Sequence, residues 1–488
     1  MRQVPGRGPH RLERVMVAMQ PFAGFAGIPP AWPEDLRAPI RSAHQAGECQ
    51  LVVLDDDPTG TQSVHNVAVV TRWDPETLQA EFARDKQAFF ILTNSRSLSP
   101  HDARLLMREV AVNVRSSAAV SNRRFVPLLR GDSTLRGHFP LEVEVLQEEC
   151  GPFDGVLLAP FFSAGGRLTL DGIHYVVENG NPVPVAATAF ARDPTFGYRS
   201  SNLRHWVEEK TAGRVTASAV QLISLGLIRE GGPSAVSRAL LDMPKGAHVV
   251  VDALERADLD VVALASLQVE AQGRRYLYRT ASDFVASRLG MGTLPLLDET
   301  VLSMDGAASG GLIVVGSYVP KTTEQLACLR AEMDVVEVEL DVEALLDPEK
   351  REALLLAASA EINSALLQGR DALLFTSRKL VMAHGSSGPI VIQKAVSQSL
   401  VSIVANLKTR PRFLISKGGI TSSDVATCGL EVRRCLVMGQ LIPGVPVWRL
   451  GVESKFPGMA YVVFPGNVGT VASLKEAVTR LRAGIGGQ

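Results

Sequence analysis

Three consecutive carboxylates, Asp55, Asp56 and Asp57, end the apolar run Leu51-Val-Val-Leu54 and lead into Pro58-Thr-Gly60. Pro58 fixes φ and Gly60 permits a positive φ, so a turn follows the run. Like charges this close repel one another, which leaves three uses for the cluster: holding a cation, accepting a proton, or facing water. As chemistry, Asp56 or Asp57 would take a proton from a hydroxyl or help to hold Mg2+. Arg96, Arg130, Arg136 and Arg167 lie near the ends of later apolar runs, with Asp132 and Ser133 among them. Such arginines either clamp an anion bidentately or make ordinary surface and interdomain salt bridges.

The second half of the chain offers a different chemistry. Gly316-Ser317 and Lys417-Gly418-Gly419-Ile420-Thr421 each join an apolar run to a helical stretch. Free backbone N–H groups and a helix dipole suit a phosphate there, and glycine lets the backbone approach its oxygens. Helix caps and tight turns use the same glycines. An acidic and basic crevice opposite phosphate-type turns points to phosphoryl transfer, in which a carboxylate orients or deprotonates the attacking hydroxyl. No Walker A pattern occurs, and no G-x-G-x-x-G follows a strand, which argues against a Rossmann dehydrogenase.

These residues need strands to present them. Leu51–Leu54, Ala88–Thr93, Phe125–Leu129, Gly155–Ala159 and Ala247–Val251 are short continuous apolar runs separated by helical segments, the pattern of a parallel, doubly wound sheet. Ligands of such sheets bind outside the carboxyl ends of the strands, where Asp55–Asp57, Asn94, Arg96, Asp132, Ser133, Arg167 and Asp252 fall. A second α/β series follows: strands at Leu312–Val315, Ala372–Thr376 and Phe413–Ser416, and helices over Lys350–Gln368 and Pro389–Lys408. Thr421-Ser-Ser-Asp424 has the character of a capping box and predicts a helix start at Thr421. Gly466 and Gly469 mark a last turn before a closing helix. The fold class expected is α/β: two α/β domains with largely parallel sheets and an interdomain active-site cleft.

The whole-chain properties exclude several functions. With 488 residues and a net charge of −1, no global field favours nucleic acid or an anionic membrane. The five cysteines are odd in number and lack zinc spacing, which predicts reduced thiols and a cytoplasmic protein. No apolar run approaches the roughly 18 residues of a membrane span. The basic, Pro- and Gly-containing stretch Met1–Pro33 lacks the apolar core of a signal peptide and reads as a poorly ordered extension.

Taken together, the motifs look like a known family. Asp56-Asp57-Pro-Thr-Gly60 resembles the Ala-Asp-Asp-x-Thr-Gly-Ala motif of the four-carbon acid sugar kinases. Arg130-Gly-Asp-Ser-Thr-Leu-Arg-Gly137 resembles that family's Lys-x-x-Asp-Ser-Thr-Leu-Arg-Gly segment. Ser95–Ser97, Pro160–Arg167 with Gly172 and His174, and Val251–Ala253 follow in family order. Gly316-Ser317 with Thr322 and Gln325, Gly418–Thr421, and Pro465-Gly466-Asn-Val-Gly469 resemble its nucleotide-binding motifs. With the Gly-, Ser- and Pro-rich stretch Leu289–Gly311 as a boundary, the resemblance implies an N-terminal extension (1–45), a sugar-acid-binding domain (46–290), a linker (291–310) and a nucleotide-binding domain (311–488). It implies ATP and Mg2+ as cofactors and phosphorylation of the terminal hydroxyl of D-threonate, D-erythronate or a 3-oxo-tetronate. Asp56, Arg96, Arg130, Asp132, Ser133, Arg136 and Arg167 would be at the substrate. Ser317, Gly418, Gly419, Thr421, Gly466 and Gly469 would be at ATP. Asp57 or Asp56 would be the base; the sequence does not separate them. A homodimer is the expected assembly, with neither nucleic acid nor membrane as a partner. Ile420 replaces the usual Glu of Gly-Gly-Glu-Thr, Phe464 replaces the usual Lys before Pro-Gly, and Asp55 is additional. These departures keep open a branched or oxo five-carbon acid of the 3-oxo-isoapionate type, and a non-catalytic sensor on the same fold.

Overall fold

The computed structural model describes residues 25, 27–84, 87–298, 309–378 and 388–483. The first half contributes β1 (Cys49–Asp55), β2 (Ala68–Val70), β3 (Ala88–Leu92), β4 (Arg124–Arg130) and β5 (Gly155–Ala159). After a small antiparallel sheet of β6 (Arg167–Leu170), β7 (Ile173–Glu178) and β8 (Asn181–Pro184) come β9 (Gln221–Ile223), β10 (Ala247–Val251) and β11 (Tyr276–Thr280). The second half contributes β12 (Leu312–Val315), β13 (Val336–Leu340), β14 (Ala372–Thr376), β15 (Phe413–Lys417), β16 (Arg434–Ile442), β17 (Val445–Leu450) and β18 (Ala460–Phe464).

Fifteen of these strands form one sheet, ordered β13-β14-β12-β15-β18-β17-β16-β2-β3-β1-β4-β11-β5-β10-β9. Its two flanks are parallel, as expected from apolar runs such as Leu51–Leu54 and Phe89–Ile91, which are buried throughout. The expected separation into two sheets is replaced by continuity. The antiparallel β16–β17 hairpin joins β18 on one side to β2 on the other. The two parallel flanks therefore run in opposite directions. Six strand-to-strand steps separate β1 from β15, and the usual twist of roughly 20–25° per step turns one flank by about 120–150° relative to the other. In a flat sheet the carboxyl ends of β1 and β15 would lie at opposite edges; twist brings them round toward each other. Register shifts in β16 between Val437 and Gly439 and between Gln440 and Ile442 add to that twist.

The hairpin also carries a side-chain link between the halves. Trp448 on β17 is fully buried and donates from Nε1 to Thr61 Oγ1 at 3.0 Å, in the short helix Pro58–Ser63 that follows the carboxylates. Residues 27–46, read partly as a loose extension, pack instead. Trp32 lies against Gly232, Arg229 donates to Pro29 O at 2.9 Å, and the helix Arg37–Ala46 buries Ile40 and His44. The stretch 1–24 of that expected extension and 299–308 of the expected linker lie outside the described residues. Leu297, by contrast, donates from its backbone to Gln440 O at 2.8 Å, alongside β16. All five cysteines are free, and among the described residues no helix is long and apolar enough to cross a membrane.

Trp448→Phe removes the indole donor and leaves a small cavity at the domain junction. Urea unfolding of the variant is expected to show a loss of about 2–3 kcal/mol. An unchanged midpoint would show that this link does not hold the junction.

Candidate active site

Burial decides the geometry of the carboxylate cluster. Asp55, Asp56 and Asp57 are all buried, and three charges out of water survive only beside counter-charges. Arg130 at the tip of β4 supplies the first. Its Nη1 donates to Asp55 Oδ1 at 3.1 Å, to Asp56 Oδ1 at 3.3 Å and to Asp57 O at 3.4 Å. Arg96 supplies the second: it pairs with Asp57 Oδ2 and lies 3.5 Å from Asp132 Oδ1. Asp132 also takes Arg136 Nε at 2.7 Å and the Thr134 hydroxyl. Arg96, Arg130 and Arg136 thus come together with the aspartates in one largely buried network.

Within it the three aspartates differ. Asp57 is fully occupied: Oδ1 accepts from Thr59 N at 2.8 Å and Thr59 Oγ1 at 2.5 Å, and Oδ2 is paired with Arg96. Burial works to raise its pKa, but Arg96, Arg130 and the Thr59 hydrogen bonds outweigh burial and hold it low. Asp55 is pushed up to about 8 by burial, against the pull of Arg130. Its carboxylate fills the space a Cβ on Gly60 would need. Asp56 is raised by burial too, against Arg96, Arg130 and Arg279. Its Oδ2 is buried and accepts no hydrogen bond.

The loop Arg130–Gly137 is fixed from behind. His174 Nε2 meets Ser133 O at 2.7 Å and its Nδ1 meets Thr169 Oγ1 at 2.9 Å. Burial lowers this imidazole to about 4, so it stays neutral: Nε2 donates to the carbonyl and Nδ1 accepts from the threonine. Tyr198 donates to Thr134 O at 2.7 Å. Arg167 departs from the expected clamp: it donates to Gly165 O, and its guanidinium lies 5.6 Å from the Phe190 ring centroid, with Arg136 at 5.2 Å from the same ring. Asp252 departs more clearly. It takes the backbone N–H groups of Gly172 at 2.9 Å, Asp171 at 3.0 Å and Leu225 at 3.2 Å, and so holds a turn together rather than facing the crevice.

The glycine turns of the second half meet this network. Gly418 adopts φ 113° and begins the helix Gly419–Asp424 two residues before the predicted start, so Thr421 sits inside the first turn instead of capping it. A Cβ on Gly419 would overlap Asp57 Oδ2, and one on Gly316 would overlap Thr421 Oγ1. Positions for Cβ on Gly418 and Gly466 lie 3.1 Å from Ser317 Cβ and 3.3 Å from Ser317 Oγ. Ser317, Gly418, Thr421 and Gly466 therefore converge, and Gly419 touches the carboxylate wall. Gly469 is set apart, turning at φ 86° against Ser473 and Gln325.

Two buried cations in this region were not singled out from the sequence. Lys417 is directly across from Phe464 in the β15–β18 register. Its Nζ donates to Pro465 O at 2.7 Å and lies 4.1 Å from the Phe464 ring centroid, and burial lowers its pKa to about 7. A lysine thus lies over the ring at position 464 from the neighbouring strand. Arg279, near the end of β11, lies under the Arg130–Gly137 loop. Lys417 ends β15 and Arg279 is next to last in β11, a strand-end position that was the one signal that could have found them.

Comparison with known proteins finds matches in both halves of the chain. A family profile described as a sugar-binding N-terminal domain matches residues 51–288, and one described as a nucleotide-binding C-terminal domain matches residues 312–474. The chain belongs to the four-carbon acid sugar kinase family. It is 26% identical over 274 residues to the D-erythronate kinase of Heliobacterium modesticaldum, a match spanning 56% of this chain and 57% of that protein. It is 26% identical over 344 residues to the D-threonate kinase of Bordetella bronchiseptica, spanning 65% of this chain and 72% of that protein. A solved protein from Salmonella typhimurium LT2 shares the fold, with a TM-score of 0.59 at 18% identity over 88% of this chain and 98% of its own. So does one from Haemophilus influenzae, with a TM-score of 0.56 at 19% identity over 88% and 100%.

Asp55 gives this site a pH signature. An aspartate whose pKa is raised on folding binds its proton more tightly folded than unfolded, so its contribution to stability falls as pH rises from the unfolded value near 4 to the folded value of about 8. Asp55→Asn lacks that proton. Compared at pH 5 and pH 8 by urea unfolding, the variant should gain on the wild type as pH rises; a gap that stays constant would refute the assignment.

Proposed function

We propose that the chain is an ATP-dependent kinase that phosphorylates the terminal hydroxyl of a small sugar acid such as D-threonate, D-erythronate or a 3-oxo-tetronate. The observation that carries the reading is the contrast between two adjacent aspartates at the place where the domains touch. Asp57 is tied on both oxygens, whereas Asp56 keeps one buried oxygen, Oδ2, without a partner. A general base needs a free lone pair and a raised proton affinity; Asp56 has both. Asp57 then serves to position the turn and Arg96. The relatives named as D-erythronate and D-threonate kinases support the same substrate class.

On the opposite wall, Gly418 caps its helix without a side chain, which leaves the first-turn N–H groups of Gly419, Ile420 and Thr421 without intrahelical acceptors. Together with Ser317 and Gly466 they form the surface suited to the phosphates of ATP. Among the described residues no three His, Cys, Asp or Glu side chains converge as a metal site. Mg2+ in such a reaction would be held mainly through the phosphates of the nucleotide. In phosphoryl transfer the protein's part is positioning and charge stabilisation, and the buried arginines and aspartates are already fixed for both.

ADP release measured over four- and five-carbon sugar acids tests the reading. Asp56→Asn should lower turnover roughly 10²–10⁴-fold while nucleotide binding is retained. No release by the wild type with any acid would sink the kinase reading. An Asp56→Asn protein as active as the wild type would remove Asp56 as the base.

A further inference from the structure

Arg279 stands apart from the other arginines of the site. It lies on β11 between β4 and β5, in register with Leu129 and Leu158, and is 7% exposed. Arg96, Arg130 and Arg136 each meet an aspartate. Among the described residues Arg279 has only a long hydrogen bond, Nη2 to Arg136 O at 3.5 Å, and its Nε is buried without an acceptor.

The Arg130–Gly137 loop is shaped around this side chain. A Cβ on Gly131 would overlap Nη1. At Gly137, where φ is +121°, a Cβ would lie 3.1 Å from Arg279 Nη2 and 3.1 Å from Asp56 Oδ2. A guanidinium and a carboxylate oxygen, both buried, therefore face one place across the bare Cα of Gly137 without forming an ion pair. Keeping such charges apart is unfavourable, and a direct contact would relieve it. The loop holds them apart, and a group bridging the two would relieve that cost. That group must accept from Arg279 and donate to Asp56. An alcohol does both with one oxygen; a carboxylate would repel Asp56, and an ammonium would repel Arg279.

We propose that Arg279 is a catalytic residue that binds the acceptor hydroxyl oxygen of the substrate, opposite Asp56. The inference rests on the kinase reading and adds a residue and a hydroxyl position to it. As the hydroxyl proton passes to Asp56 Oδ2, an electron pair of the oxygen forms the bond to the γ-phosphorus. The bond from that phosphorus to the β-phosphate oxygen breaks, and its pair leaves on ADP. Arg279 stabilises the charge that develops on the attacking oxygen, and its planar fork fixes the oxygen's direction.

The test uses the full chain with Arg279→Met, Arg279→Gln and Arg279→Lys, and reads ADP release with D-threonate and D-erythronate across pH. The Met and Gln variants should lose about 10²–10³-fold in kcat, with little change in KM for ATP. Asp56 faces Arg96, Arg130, Arg279 and Glu142, beside Asp55 and Asp57. Losing one of its three cations should move the acid limb of kcat/KM to higher pH, which a merely structural role would not do. The Lys variant keeps the charge, so it should hold the acid limb in place with an intermediate kcat. Reading two neutral variants keeps misfolding of either one from deciding the outcome. A wild type that turns over beside neutral variants with unchanged kcat and acid limb overturns this inference alone. A wild type without turnover on these two acids or on any other four- or five-carbon sugar acid overturns it together with the kinase reading.

Discussion

One guanidinium sets the terms for the site. Arg130 Nη1 is shared among Asp55, Asp56 and the carbonyl of Asp57, and without it three adjacent carboxylates could not be buried at a strand end. Everything near it follows from that neutralisation. Gly60 has no side chain because the Asp55 carboxylate occupies the space. Asp57 turns away to cap the helix Pro58–Ser63 and takes Arg96 as its own counter-charge. Asp56 is left with one oxygen uncommitted, where burial raises its affinity for a proton.

The opposite wall depends on the same economy of space. Gly419 approaches Asp57 so closely that any Cβ would overlap it, so the glycine turn is fitted to the carboxylate as much as to a ligand. Behind the turn, Lys417 is buried over the ring of Phe464. The amine and the ring come from adjacent strands and stack face on. Ile420, where a Glu is usual, is 37% exposed at the start of the helix, so the departure lies on the surface and leaves the packing of the turn intact.

Much of this was legible in the sequence because continuous apolar runs mark buried parallel strands. Gly155–Ala159, Ala247–Val251, Leu312–Val315 and Ala372–Thr376 are strands with the bounds their composition predicts, and the polar residues at their ends pointed to the network around Asp56. The rest was hidden for physical reasons. β16 alternates buried and half-buried positions, so it lacks a continuous apolar run, and nothing local announces that it will pair with β2 far away in sequence. Asp252 shares the strand-end position of the site residues, yet three backbone N–H groups claim it. Arg279 lies next to the end of a strand, Tyr276–Thr280, that was not read as one, and only the fold reveals that two glycines of a distant loop make room for it.

The unbroken sheet has a mechanical consequence. Two domains joined by a flexible tether can swing apart about a hinge, but here backbone hydrogen bonds between β2 and β16 continue the lattice across the junction. The walls of the site are coupled like the ends of a coiled spring. Any opening would be spread as a small change of coil through the hairpin, where register shifts already interrupt the ladder of β16. Stiffness of this kind limits how far the walls can separate, and it favours a ligand small enough to enter through a slight unwinding.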